Sequence, residues 1–491
     1  MRKNILMAGM MLSFLSTMVF AQEVNTDLKQ KLTTYFSDVY TNVDVVDENA
    51  VSKVVFPKID VMEYDEKMTL KAGKAIPSYS VVLKDKGEFL DHKQYEMKID
   101  NLARLNGFIY SNFKINGIEA DSFVENLQYV PDINAVTRHD VEIKNAVYRV
   151  KDAETGLNKD VAGVSDLKIA SSLKAHDDHI EYSTENMIKG VGADFSLFKV
   201  NIPMLWSKGK TKYDLGATDF EKMLVDITKL KNMSYVVKTS QMSFDAFGIK
   251  LGFDLSTNGV IYRQKDGQKL DFKSQVLIDK INQNLSNDFN LKKIKILYLF
   301  QDVATADIVA LNKVQEDYEA EQEKAIEAFM EQKPFDTAKK DALEQKMEKS
   351  INDIMSGIKA KVRLNLDFDK NATSELWADI KAQDGYMVGN VKMTFVNIEK
   401  ILPSDKSSCD ENKSAGQELT SSCNQNDSGS DIRSMLKSAH RTTQKDGSIV
   451  DVVEIKITKE GVFMGKEKIS EPVKIDEAKQ NLTEKVGLGL L

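Results

Sequence analysis

The sequence predicts an α+β chain in which antiparallel β dominates, as an extended meander or sandwich-like sheets, with an N-terminal helix and a charged helical hairpin inserted. Three observations carry that prediction. Apolar residues alternate with polar ones over much of the chain, and Asn-Gly and Asp-Gly steps punctuate the alternation;. A helical stripe opens the region after the first apolar segment;. A long block rich in Glu, Lys, Ala and Gln, broken only by Pro334, interrupts the strands.

The strands follow from period-two spacing, which puts every second side chain on one face of a sheet. Tyr95, Met97 and Ile99 share a face, and Phe113 and Ile115 precede Asn116-Gly117. Leu167 to Leu173 and Ile180 to Tyr182 read as two strands around a polar turn. Ile249, Leu251, Phe253 and Leu255 lead to Asn258-Gly259, then Val260 to Arg263, then Asp266-Gly267, then Leu270 and Phe272. That order predicts strand, hairpin, strand, hairpin, strand, because both dipeptides supply the positive φ of tight turns. Val362, Leu364, Leu366 and Phe368 return to the pattern. Asp446-Gly447 precedes Val453, Ile455 and Ile457, and Glu460-Gly461 leads into Val462 to Met464. One apolar face per strand means antiparallel sheet with its other face wet or lining a cavity. No period of 20 to 50 residues marks a solenoid;.

Three segments read as helix. Leu28, Leu32, Phe36 and Val39 place an amphipathic helix over 25–41;. Thr218-Asp219-Phe220-Glu221 matches a capping box, with Phe220, Leu224, Ile227 and Leu230 continuing one face;. The block 304–357 carries two stripes: Ile308, Leu311, Val314, Tyr318, Ala325 and Phe329, then Leu343, Met347, Ile351, Ile354 and Ile358. Proline breaks a helix interior, so a turn is expected at Lys333 to Asp336 between two antiparallel helices;. Their charged outer faces read as solvated surface.

Six segments result: 1–21 a signal peptide, 22–300 a β-rich region, 301–360 the helical hairpin, 361–402 returning strands, 403–434 a polar loop, and 435–491 a small C-terminal β region. Arg2 and Lys3, the apolar run Ile5 to Phe20 and the small-residue site Val19-Phe20-Ala21 form the three-part export pattern, with cleavage expected after Ala21;. An uncleaved anchor is the alternative; lipoprotein processing lacks its cysteine. After this segment no apolar run reaches membrane-spanning length;. Cys409 and Cys423 both lie in the polar loop, where an oxidising compartment favours a disulfide;. Such a ring, of about 15 residues, would restrict the unfolded chain by roughly 3 kcal/mol. Free thiols are the alternative, and a metal site there would find only His440 nearby.

Composition and motifs narrow function by exclusion. The chain has 491 residues, 42% hydrophobic and 29% charged, with a net charge of −8, which argues against a nucleic-acid partner;. His176-Asp177-Asp178-His179, with Glu181 beyond, offers imidazole and carboxylate ligands for a divalent ion;. Read as an exposed hairpin turn, however, His176, Asp178 and His179 splay outward and bind no metal. Asp367, Asp369 and Asn371 open like a calcium loop, but Ala372 and Ala378 replace its required Gly and Glu;. Gly209-Lys210-Thr211 ends like a phosphate loop, yet Met204 stands where the first glycine belongs;. Gly190-Val191-Gly192 lacks the third glycine of a dinucleotide fingerprint, and the two S-x-x-K matches, at Ser165 and Ser171, lack partners;. The expectation is therefore a periplasmic bacterial envelope protein without catalytic activity or cofactor, binding a lipid, a cell-wall component or another envelope protein. Alternatives are an exported carboxylate hydrolase and a surface or secreted adhesin. Whether the sheet holds an open apolar groove or a filled core separates binding from scaffolding.

Overall fold

The computed structural model describes residues 28–48, 51–64, 69–113, 117–151, 158–194, 198–214, 227–246, 249–283, 291–330, 337–401 and 436–474. The export segment, Cys409 and Cys423, and the Thr218 capping box lie outside the described residues. Antiparallel strand predominates, as the alternation predicted. The chain forms two compact units, Met1–Arg263 and Gln264–Leu491.

The first unit begins with α1 (Leu28–Tyr35), β1 (Asp44–Glu48), β2 (Val51–Phe56), β3 (Met62–Tyr64), β4 (Leu70–Ala72), β5 (Tyr79–Phe89) and β6 (His92–Ile99). There follow α2 (Leu102–Phe113), β7 (Ile118–Glu119), β8 (Ser122–Val130), β9 (Ala135–Lys151), β10 (Asn158–Ala175), β11 (His179–Asp194), β12 (Phe198–Asp214), β13 (Leu230–Ala246) and β14 (Ile249–Arg263). All pairings are antiparallel, in the order β1-β2-β5-β6-β8-β9 and then each strand on the next to β14. The predicted stripe of α1 is buried: Leu32 and Phe36 are inaccessible, and Val39 follows in the turn. They pack with Tyr40, Phe56, Tyr79, Met97, Ile99 and Leu127 in the main core of this unit. Phe56 stacks on Tyr79 at 4.7 Å, and the Tyr40 and Tyr79 hydroxyls lie 3.0 Å apart, so these buried phenols satisfy one another;.

Three sequence expectations need correction. Asn258-Gly259 makes no hairpin: β14 runs straight through it, with Asn258 opposite Val236 and Gly259 opposite Tyr235. The Tyr235 ring lies 2.6 Å from where a Cβ on Gly259 would sit, so the glycine serves close packing and not a turn;. Phe113 does not begin a strand but ends α2, whose Ala103, Leu105 and Tyr110 face the core. The aromatic and β-branched residues there were compatible with either element, and helix packing decided it. Leu230, read as the end of a helix, opens β13.

A crease crosses β9 to β13. Asn145 (φ 49°), Gly190 (φ 61°) and Gln241 (φ 53°) take the left-handed conformation inside otherwise extended strands. They stand level with Ser165 and Pro203: Asn145 falls between the pairs Lys144–Asp166 and Ala146–Val164, and Pro203 between Met204–Lys189 and Ile202–Val191. Each irregular residue switches the face presented by its strand. Ile143 and Ala146, Val164 and Leu167, Ile188 and Val191, and Ile202 and Leu205 therefore pack on one side although spaced by three; a regular strand would put them on opposite sides. Ser165 Oγ donates to the Lys189 carbonyl at 2.8 Å, and a Cβ on Gly190 would lie 2.4 Å from that hydroxyl.

The second unit contains β15 (Lys269–Gln283), β16 (Leu291–Ala304), α3 (Thr305–Met330), α4 (Ala338–Gly357), β17 (Lys359–Phe368), β18 (Thr373–Gln383) and β19 (Tyr386–Val396). It ends with β20 (His440–Thr443), β21 (Ile449–Thr458), β22 (Gly461–Met464) and β23 (Glu467–Ser470). Strands β15 to β19 pair in sequence order, β21 joins β19, and β20 and β22 share the far side of β21. Here Asp266-Gly267 and Asp446-Gly447 do form turns, with Gly267 at φ 74° and Gly447 at φ 81°. Helices α3 and α4 are antiparallel: Tyr318 bonds Glu344, and Lys339 Nζ lies 2.6 Å from Glu321. Leu343 and Ile358, predicted on the inner stripe, are buried. Among the described residues no helix is long and apolar enough to cross a membrane.

The crease predicts unequal effects within one strand. Gly190→Ala should lose about 1–2 kcal/mol of stability, because an L residue is forced into the left-handed region. Gly192→Ala, with open space around its Cβ position, should stay within about 0.5 kcal/mol of the parent. Urea unfolding of both variants checks the difference.

Candidate functional site

Three places hold chemistry or an unusual surface. The first is the β10–β11 hairpin. Its turn is His176 to Asp178, closed by the His176 amide donating to the His179 carbonyl at 2.8 Å, as the sequence predicted. The side chains do not all splay, however. His176 and His179 stack face to face, centroids 4.5 Å apart, and one ligand atom each of His176, His179 and Glu181 lies within 4.8 Å of the other two. His179 and Glu181 are two apart on β11 and so share a face. Asp178, 77% exposed, instead reaches His179 Nδ1 at 2.6 Å. That hydrogen bond, before any other cause, holds the Asp178 carboxyl below its usual range; Lys210, 2.8 Å away, does the same for Glu181. Lys231 donates to the Asp178 carbonyl at 2.6 Å and lies 3.4 Å from Asp214. His179 Nε2 is buried without a hydrogen-bond partner.

The second is a buried ion network that motif reading missed. β8 points Phe123, Glu125, Leu127 and Tyr129 inward, so a carboxylate stands in an apolar row. Arg104 Nε of α2 donates to Glu125 Oε2 at 2.9 Å, and His139 Nε2 of β9 lies 2.9 Å from Oε1. The Arg104 guanidinium also sits 5.1 Å from the centroid of the Phe36 ring. Burial alone would push the Glu125 carboxyl up, but Arg104 and then His139 outweigh it and hold it at about 2;. The signal in the sequence was Glu125 in phase with three apolar neighbours.

The third is the apolar side of the second unit. Cross-strand register aligns Val276, Ile296, Leu364, Leu376, Met393 and Val453 in one row over β15, β16, β17, β18, β19 and β21. A second row beside it holds Tyr298, Val362, Ala378, Val391, Ile455 and Met464. One buried cluster of this unit lies at one end, on Phe368, Phe395, Ile398, Ile401, Leu436 and Val453, and Leu270, Val303, Leu343 and Ile358 are buried towards the other. Ile296, Leu364, Leu376, Tyr298, Val362 and Val391 lie outside that cluster and stay half-buried. From Val276 to Met393 the first row is thus continuous, apolar and only partly shielded, whereas Val453 and Ala378 are buried.

The remaining motif candidates do not assemble. Gly209-Lys210-Thr211 lies inside β12, paired with Thr184 and Tyr235 on either side of Gly209, with no loop to cradle phosphate. Gly190-Val191-Gly192 is likewise strand. Asp367 lies within β17, one residue before its end, whereas Asp369 and Asn371 belong to a single 3-10 turn in which Asp369 pairs with Lys292. Comparison with protein families, with curated proteins and with solved structures found no match.

The Glu125 network has a pH signature. A carboxyl held at about 2, below its ordinary 4.5, stabilises the fold fully above the ordinary value and loses that contribution as pH falls to about 2. The loss is on the order of 3 kcal/mol. Urea midpoints followed from pH 5 to pH 2 should show it, and Glu125→Gln should flatten that portion of the profile while lowering stability at pH 7 by about 3–5 kcal/mol through the unpaired Arg104.

Proposed function

We propose that this is an exported bacterial envelope protein, resident in the periplasm, that binds the acyl chain of a lipid on the apolar side of its second unit and catalyses no reaction. The observation that carries this reading is the half-buried aliphatic row from Val276 to Met393. Removing apolar area from water contributes about 25 cal/mol per Å², so such a strip has a standing gain to make from a hydrocarbon chain. A peptide would be bound chiefly through hydrogen bonds at a sheet edge, whereas these rows lie across paired strands whose backbone groups are already used. The export pattern Arg2-Lys3, Ile5 to Phe20 and Ala21 supports a location where envelope lipids are available;.

Full-length protein expressed with its export segment, purified without detergent and examined by native mass spectrometry, should carry a lipid, or take up a fatty acid, at about one per chain. Protein that neither carries nor takes up lipid would refute the reading. Leu376→Glu, in the centre of the row, should weaken binding of a fluorescent fatty acid at least tenfold. Trp377→Ala, on the opposite exposed face of β18, should leave it unchanged.

A further inference from the structure

We infer that the β10–β11 hairpin is a binding site for a divalent transition-metal ion, zinc by preference, with His176, His179 and Glu181 as its three protein ligands. The set is two imidazoles and a carboxylate, which suits zinc and leaves a fourth position for water. Convergence is the first argument: one ligand atom from each residue already lies within 4.8 Å of the others. Ligands about 2 Å from a tetrahedral ion stand about 3.3 Å apart, so the three must close by about 1.5 Å. Exposed His176, at the tip of the turn, has the freedom to do so.

The state of His179 is the second argument. Its Nδ1–H donates to Asp178 Oδ1 at 2.6 Å, the orienting contact that metal-bound histidines make to a carboxylate;. In the neutral ring this leaves the lone pair on Nε2, and that atom is buried with no hydrogen-bond partner. A buried acceptor left empty costs free energy; coordination to a metal removes that cost. The backbone supplies the rest. The hairpin closure sets His176 beside His179 with stacked rings, and the strand period brings Glu181 to the same face.

The surrounding charges set the conditions. Lys210 holds Glu181 at 2.8 Å and must release it, with Lys212 also nearby. Lys231 contacts Asp178, so the orienting carboxylate is itself anchored from β13. Lys210 is therefore a competitor for the site and not part of it.

The test is calorimetric titration of the untagged full chain with zinc chloride, repeated with cobalt(II), whose visible absorption reports tetrahedral coordination. Binding at one ion per chain is expected, with a visible cobalt band. His176→Ala and His179→Ala should each weaken it at least tenfold, Asp178→Asn about tenfold, and Lys210→Ala should strengthen it. Circular dichroism of each variant checks that the sheet survives. No binding by the parent chain, or binding that persists unchanged in folded His176→Ala and His179→Ala, would overturn the assignment; the latter would place the ion elsewhere.

Discussion

The structure depends on keeping apolar side chains on one side of a sheet made of very long strands. Strands β9 to β13 run for 16 to 18 residues, far beyond the usual five or six. A long, twisted strand cannot stay straight and still pack one face against a core. The protein bends these strands at a single level, through Asn145, Gly190 and Gln241, and each bend costs a residue in the left-handed region. In return the phase of the alternation changes, and Ile188 with Val191, or Ile202 with Leu205, enter the same cluster. Without that change half of each strand would turn its apolar residues to water.

The two units use the same architecture to different ends. In the first, α1 and α2 cover the sheet, and the core closes around Phe36, Phe56 and Tyr79. A carboxylate is admitted there only because Arg104 and His139 meet it from two other elements. The network thus ties α2 to β8 and β9, since neither buried charge, Arg104 nor Glu125, is tolerable alone;. In the second unit buried residues gather at the Phe368–Val453 end and around Leu270, Val303, Leu343 and Ile358 at the other, and much of the rows between is left partly open. An open apolar strip costs solubility and stability, and a bound hydrocarbon chain is the compensation the proposed function supplies.

Much of this was legible in the chain, for reasons that vary by residue. The alternation at Val362 to Phe368 and the turns at Asp266-Gly267 and Asp446-Gly447 depend on local chemistry and fell where expected, whereas the helix expected over 25–41 ends at Tyr35, with Phe36 and Val39 continuing its buried stripe in the turn. Asn258-Gly259 misled because the decisive partner, Tyr235, is distant in sequence and packs its ring over the glycine. The crease was hidden for a related reason: a change of phase reads as a loss of alternation unless the neighbouring strand is known. At the hairpin the turn could be read from His176 to His179, but the turn alone did not show that the rings stack and that Glu181 joins them. Glu125 went unmarked in the sequence, because a lone carboxylate in an apolar phase becomes a feature only when tertiary structure brings Arg104 and His139 to it.

The proposed function turns on whether the aliphatic row of the second unit takes up a hydrocarbon chain. The most direct measurement is photo-crosslinking of the full protein with a diazirine-bearing fatty acid, followed by peptide mapping of the attached label. Label concentrated on Ile296, Leu364, Leu376 and Met393, and competed away by an unlabelled fatty acid, is the result this account predicts. Label spread over both faces of β17 and β18, or absent from these residues, would contradict it.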